Sequence, residues 1–226
     1  MKSSDSESRR DKFHTPSLPP GSVPKWLDWA RRIQAIGQIG EAYTKDVYDL
    51  ERFQQLRELA SEIMNEYTDE APERIRELFT AEVGYQTPKV DVRGVVFQGE
   101  TILLVQEAMD GGWTLPGGWA DVQVSPAENA AREVFEESGY IVQSVRLLAV
   151  WDRARHAHPP GPWHTYKIMF ECDITGGAPK TSHETLDVGF FSLNDLPPLS
   201  TMRTTQDQLQ RLLELYKHPE RPPEFD

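Results

Sequence analysis

Cysteine is almost missing from this chain: among 226 residues there is one, Cys172. A lone thiol excludes an internal disulfide framework and a cysteine-based zinc site. Its apolar neighbours Met169 and Phe170 predict a core thiol rather than a reactive one. Long apolar runs are missing too. No stretch approaches the roughly eighteen apolar residues of a membrane-spanning helix, and the N-terminal MKSSDSESRRDKF lacks the apolar centre of a secretory signal. A cytoplasmic protein without membrane contact is therefore expected. Positive charge is scarce: 24 Lys and Arg against 36 Asp and Glu leave a formal net charge of −12. That balance opposes general affinity for nucleic-acid backbones or anionic membranes, and any phosphate-ester substrate would need cations as mediators.

What is present divides the chain. Residues 1–21 are polar and then proline-rich, and read as a disordered tail. From Pro24 the spacing turns helical, through Trp26, Trp29, Ile33, Ile36 and Gly37. A second amphipathic helix begins near Asp49, with Leu50, Phe53, Leu56, Leu59, Ala60 and Ile63, and a third follows Pro72 with Ile75, Leu78 and Phe79. Residues 22–86 thus form a small helical domain, too small to bury much core alone, and a homodimer built on its Trp- and Ile-rich face is expected. After Pro88 the period becomes strand-like in VDVRGVVF (90–97) and ILLV (102–105), joined by the turn QGET. Further strand-like runs are RLLAVW, TYKIMFEC and VGFF, and a last helix covers about 204–217. Strands interrupted by two helices give a mixed α/β domain over 87–217, with a tail at 218–226.

The most informative stretch is LPGGWADVQVSPAENAAREVFEESGY. Ser125 is placed to cap a helix, Pro126 suits its first position, Glu128 completes a capping box and Gly139 is suited to end it. On that helix, over 126–138, Glu133, Glu136 and Glu137 crowd one side at electrostatic cost, while Arg132 lies four residues from both Glu128 and Glu136. Three carboxylates against one arginine leave room for a divalent cation with hard oxygen ligands, and Mg²⁺ suits such a set.

The stretch resembles the box of the Nudix hydrolase family. Gly118, Arg132, Glu133, Val134, Glu136, Glu137, Gly139 and Tyr140 fall at matching positions, and Val124 stands where the box has its first glutamate. WLDWARRIQAIGQIGEAYTKDVYDLERFQQL, KVDVRGVVF, WDRARHAHPP and ETLDVGFFSLNDLPPLS are similar to a subgroup with a helical N-terminal domain that acts on nucleoside diphosphates linked to a second moiety. The resemblance spans about 24–205. It implies an α/β/α sandwich with a mixed sheet, Mg²⁺ or Mn²⁺ as cofactor, and hydrolysis of a pyrophosphate, with CDP-choline first and ADP-ribose second. It also implies Glu133 and Glu137 as metal ligands, Glu136 as a third ligand or a base, the Gly117 carbonyl as a further ligand, and Arg132 as the residue orienting the acids. Glu184, in SHETLDVGFF, is a second candidate for the base.

Arg93 interrupts an apolar strand and should meet an acid or a substrate phosphate, with the phosphate favoured. Arg153, Arg155, His156, His158, His164 and Tyr166 surround the loop PPGP. Phosphate or base recognition by Arg153, His156, His158 and Tyr166 is expected there, whereas a zinc site lacks a third ligand at suitable spacing. Trp113 and Trp119 flank the LPGG loop. Core packing is the simpler role for both, but an aromatic face can hold a quaternary ammonium, so Trp119 joins the substrate-binding candidates. Two other classes stay open: RNA end-processing, opposed by the acidic balance, and a non-hydrolytic nucleotide binder, opposed by three retained carboxylates.

Overall fold

The computed structural model describes residues 23–68, 74–75, 77 and 82–226. The expected tail at 1–21, and Pro72, Leu78 and Phe79 of the expected third helix, lie outside the described residues; Ile75 is buried at 1% exposure.

Helices α1 (Lys25–Tyr43) and α2 (Val47–Tyr67) form an antiparallel pair. Helix α2 starts two residues before the expected Asp49, because the Asp46 carboxylate accepts the Tyr48 and Asp49 N–H groups at 2.8 and 3.0 Å and acts as N-cap. Close approach of the pair rests on Gly37 and Gly40: a Cβ at Gly40 would lie 2.2 Å from the Phe53 ring, and one at Gly37 2.9 Å from the Phe53 carbonyl oxygen. The apolar residues expected on one stripe of α1 divide between two faces. Trp26 and Ile33 pack inward with Leu27 and Ala30, while Trp29 and Ile36 remain 54% and 56% exposed. Trp29 and Ile36 each lie three residues beyond Trp26 and Ile33, offset by about 60° round the helix, and so fall at the outer edge of the buried stripe.

The second unit carries two sheets. In the first, the order is β5 (Gly117–Trp119), β1 (Lys89–Val95), β7 (Thr165–Gly177), β6 (Tyr140–Asp152) and β9 (Glu224–Phe225). Strand β1 runs parallel to β7 and antiparallel to β5, so the sheet is mixed. The second sheet pairs β2 (Phe97–Gln98) with β3 (Thr101–Glu107), and β3 in turn with β4 (Trp113–Thr114) and β8 (Thr185–Ser192). The expected hairpin around QGET is the β2–β3 pair, with Gly99 at φ 61° in its turn. Chain between β1 and β2 changes sheets, so the run read as one strand over 90–97 is two. Helix α3 (Pro126–Ser138) packs against β1, β6 and β7, and helix α4 (Gln206–Lys217) places Leu209, Leu212 and Leu215 in the core with Trp113, Leu115, Leu148 and Trp151.

The expected tail at 218–226 contains β9, whose Phe225 pairs in parallel with Val150. Cys172 is buried beside Val96, Leu103 and Val134, and burial pushes its thiol pKa up, as a core thiol requires. Among the described residues no helix is long and apolar enough to cross a membrane.

Candidate active site

Helix α3 is locally determined. The Ser125 hydroxyl accepts the Glu128 N–H while the Glu128 carboxylate accepts the Ser125 N–H, and Gly139 stops the helix at φ 77°. Glu128 is thereby committed to the cap and does not pair with Arg132. One side of the helix meets β1 at Gly94, where a Cβ would stand 2.1 Å from Val134. Glu133 and Glu137, four residues apart, then project together toward the glycine pair that precedes the helix. The Gly117 N–H donates to Glu137 Oε2 at 2.9 Å. Gly117 itself adopts φ 142°, and a Cβ there would meet the Val92 carbonyl oxygen at 2.1 Å, so glycine is required. At Gly118 a Cβ would sit 3.3 Å from Glu133 Oε2, so this glycine also leaves room for a carboxylate.

These acids line a cleft with a volume of about 650 Å³. Its acidic wall contains Glu107, Glu133, Glu137 and Glu184; Asp91, Arg93, Arg153, Thr165 and Lys167 form other parts of the lining, with Trp119 and Trp163. Burial pushes the Glu137 carboxyl up to about 7, against the opposing pull of Arg93 and the Gly117 N–H. Burial and the charge of Glu136 raise Glu133 in the same direction. Burial also raises Glu107, although Arg203 pairs with it at 3.0 Å. Carboxylates whose pKa is raised by burial gain from an added positive charge, and their hard oxygens fit a divalent cation of the Mg²⁺ type. Among the described residues no three acids or histidines already stand at metal-ligand spacing, so closure on a cation requires side-chain rotation, which the three torsions of glutamate allow.

The other expected residues are placed as follows. Arg132 donates to Asp121 at 2.5 Å and to Asn129 at 2.8 Å, and stands 3.7 Å from Glu136 and 3.9 Å from Glu133. It ties the preceding loop to the helix beside the acids. Glu136 faces outward with Phe135, away from the cleft lining, because it lies one residue off the face that Glu133 and Glu137 share. Glu184 sits exposed at the cleft rim. Arg93 meets an acid, where a substrate phosphate was favoured: its Nε and Nη2 bind the Asp91 carboxylate at 2.9 and 2.7 Å, and its Nη1 donates to the Leu115 carbonyl at 2.8 Å. Arg153 lines the cleft from a 3₁₀ turn, Arg153–Arg155.

His156, His158 and Tyr166 are not cleft residues. His156 is buried against Trp151, with Asp226 at 3.2 Å and Arg211 at 3.4 Å. His158 is buried with its Nδ1 bound to the Thr201 carbonyl at 2.8 Å. Tyr166 points to the sheet face opposite Thr165 and Lys167, since side chains alternate along β7. Trp119, for which packing was the simpler role, is 52% exposed on the cleft, whereas Trp113 is in the core against Phe191.

Asp91, Glu107, Lys167, Trp163 and Arg203 also line the cleft and were missed in the sequence. Lys167 Nζ donates to Asp91 at 2.7 Å, across the parallel register that sets Asp91 opposite Lys167. Burial alone would raise the Asp91 carboxyl, yet Arg93 and Lys167 beside it hold it well below the ordinary carboxylate range. Burial pushes the Lys167 ammonium down to about 8. A signal was present for two of these residues: period-two alternation puts Asp91 on the face of Arg93, and Lys167 on the face of the core residue Met169.

Comparison with known proteins follows the same division. Residues 24–79 match a model described as a UDP-X-like, N-terminal oligomerisation domain, and residues 87–213 match a NUDIX domain. YjhB of Bacillus subtilis (strain 168), provisionally named an ADP-ribose pyrophosphatase, is 48% identical over 202 residues, or 89% of this chain and 97% of that one. A crystal structure of a UDP-X diphosphatase is 34% identical, with a TM-score of 0.59, over 89% of this chain and 98% of that one. A crystal structure of an ADP-ribose pyrophosphatase from Streptococcus suis 89-1591 is 41% identical, with a TM-score of 0.57, over 62% of this chain and all of that one.

Proposed function

The chain belongs to the Nudix hydrolase family, and from that premise we propose that it hydrolyses the pyrophosphate bond of ADP-ribose to AMP and ribose 5-phosphate. The observation that carries this reading is a cleft in which Glu133 and Glu137 stand together on one helix while Lys167 and Arg153 belong to the same lining. An acidic wall alone would repel a diphosphate. Acids with a bridging cation, next to fixed cations, can hold one. The names of the Bacillus and Streptococcus relatives support ADP-ribose ahead of CDP-choline, the substrate that the sequence resemblance put first. Likeness to the UDP-X diphosphatase supports the wider class, a nucleoside diphosphate with a variable second moiety.

In this reading Glu133, Glu137 and the Gly117 carbonyl hold Mg²⁺ or Mn²⁺, which when bound neutralises charge on the phosphate oxygens. Arg132 fixes the helix and its preceding loop. Water adds to one phosphorus, the bond from that phosphorus to the bridging oxygen breaks, and the bridging oxygen leaves on the other phosphate, so that two monophosphates result. Glu184, at the rim, takes the proton from the attacking water. Trp119 and Trp163 offer apolar faces for the base or the second moiety. Two copies pair through the exposed Trp29, Ile36 and Tyr43 of α1, in keeping with the oligomerisation model matched there; light scattering at micromolar concentration should give twice the chain mass, and the single mass would rule the pairing out.

Chromatography of products from equal concentrations of ADP-ribose and CDP-choline, with Mg²⁺ or Mn²⁺, tests the assignment. AMP should appear faster than CMP, and nothing should appear after chelation. Faster CMP would move the protein to choline substrates, and no product with either metal would overturn hydrolysis.

A further inference from the structure

The loop Pro159–Trp163 walls the cleft with Gly161, Pro162 and Trp163, and it has unusual hydrogen-bonding chemistry. Three of its five residues, Pro159, Pro160 and Pro162, have no N–H, so the loop presents carbonyl oxygens with few donors of its own. It cannot hold its shape through an internal ladder. Donors from elsewhere supply the contacts. Arg153 Nη2 donates to the Pro159 carbonyl at 2.9 Å. Arg31 Nη2, from α1 of the helical domain, donates to the Gly161 carbonyl and reaches the Trp163 carbonyl at 3.3 Å. The Lys89 N–H, where β1 begins, donates to the His164 carbonyl at 2.9 Å. The Lys89 ammonium lies 5.6 Å from the centre of the Trp163 ring. Arg31 thus bridges the two domains at a residue 130 positions away in sequence, Gly161.

Burial and the neighbouring Arg153 both depress the Arg31 pKa. Two arginines brought to one loop repel each other, and Asp152 and Asp28 offset part of that cost. A single guanidinium can serve two carbonyls because its donors lie in a fixed plane; an ammonium at the same place is a point charge on a flexible stem.

We infer that Arg31 is a positioning residue through which the N-terminal helical domain sets the wall of the substrate cleft, by holding the carbonyls of Gly161 and Trp163. This rests on the proposed function in one respect, that the cleft receives the nucleoside diphosphate. Among the described residues Arg31 touches none of the cleft acids and is absent from the cleft lining, so it acts on substrate fit and not on the hydrolytic step.

The test compares full-length wild type with Arg31→Gln and Arg31→Lys, by steady-state kinetics on ADP-ribose with Mg²⁺ and by hydrogen exchange over residues 161–165. Loss of a charged hydrogen bond is commonly large enough for a tenfold effect on binding. Arg31→Gln should raise KM about tenfold with kcat within twofold, and should speed exchange at Gly161, Trp163 and His164. Arg31→Lys should recover part of the KM. An unchanged KM, or a fall in kcat without a change in KM, overturns the inference. Should wild type release no monophosphate, the proposed function fails by itself. AMP binding by calorimetry then replaces KM: weaker AMP binding with faster local exchange supports the positioning role, and equal binding overturns it.

Discussion

The cleft contains two clusters of buried charge that are balanced in opposite ways. In one, Asp91 lies between Arg93 and Lys167, Arg93 donates from all three of its nitrogens, and the carboxyl is held well below its usual range. In the other, Glu133 and Glu137 share a helix face with one backbone N–H between Gly117 and Glu137, and burial raises both carboxyls. The first cluster answers its one carboxylate from within the protein, with two cations beside it. The second leaves its charge to be answered by something that binds. Buried charge is therefore not one kind of evidence: a carboxylate balanced by buried cations belongs to the fold, and unbalanced carboxylates mark where the fold has accepted a cost for chemistry.

Glu137→Gln tests the unbalanced side most severely. Turnover should fall at least about 10³-fold, equivalent to roughly 4 kcal/mol of lost charge stabilisation, whereas the metal-free melting temperature should hold or rise because an ill-placed anion has gone. A metal-free protein that melted markedly lower would erase the contrast between the clusters. Asp91→Asn should do the reverse. Two buried cations would lose their counter-charge, costing about 3–5 kcal/mol. For a chain of this size that lowers the melting temperature by on the order of 10 °C, which calorimetry reads directly. A shift of a degree or two would mean that the Asp91 cluster is not structural.

Glu184→Gln sharpens the comparison within the acids. An exposed base at the rim should account for about 10²-fold in kcat with little change in stability; turnover near wild type would pass the proton to Glu107 or to the helix. The smallest effect concerns His158, buried with no partner at Nε2 among the described residues, whose pKa burial pushes down to about 3. The unfolded chain takes up that proton near pH 6.5 and the folded chain does not, so stability is full above pH 6.5 and is lost as pH falls toward 3. Between pH 7.5 and 5.5 the loss is about 1 kcal/mol. Urea unfolding at both pH values should show it in wild type and lose it in His158→Asn; an equal loss in the variant would assign the effect to other groups.

Much of the acidic wall was legible before any fold was known. Helix α3 and its acids follow from signals within a few residues: Ser125 and Glu128 at one end, Gly139 at the other, and four-residue spacing for Glu133 and Glu137. The loop from Arg153 to Tyr166 was legible only as a place. Its Arg153 faces the cleft, but His156 and His158 turn into the protein, where Asp226 and the Thr201 carbonyl meet them. Nothing nearby in sequence announces partners 70 and 43 residues away.

By itself, then, the sequence determined the capped helix, the glycine pair before it, the acids it carries and the division into a helical and a mixed α/β unit, because caps, periodicity and glycine conformations act over a few bonds. Tertiary structure alone decided that Lys167 meets Asp91 across 76 residues, that Glu136 turns out while Glu107 joins the wall, and that Arg31 reaches the loop at Gly161. Those outcomes depend on which strands pair and in what register, and a register is chosen by the summed packing of whole faces, which no short stretch contains.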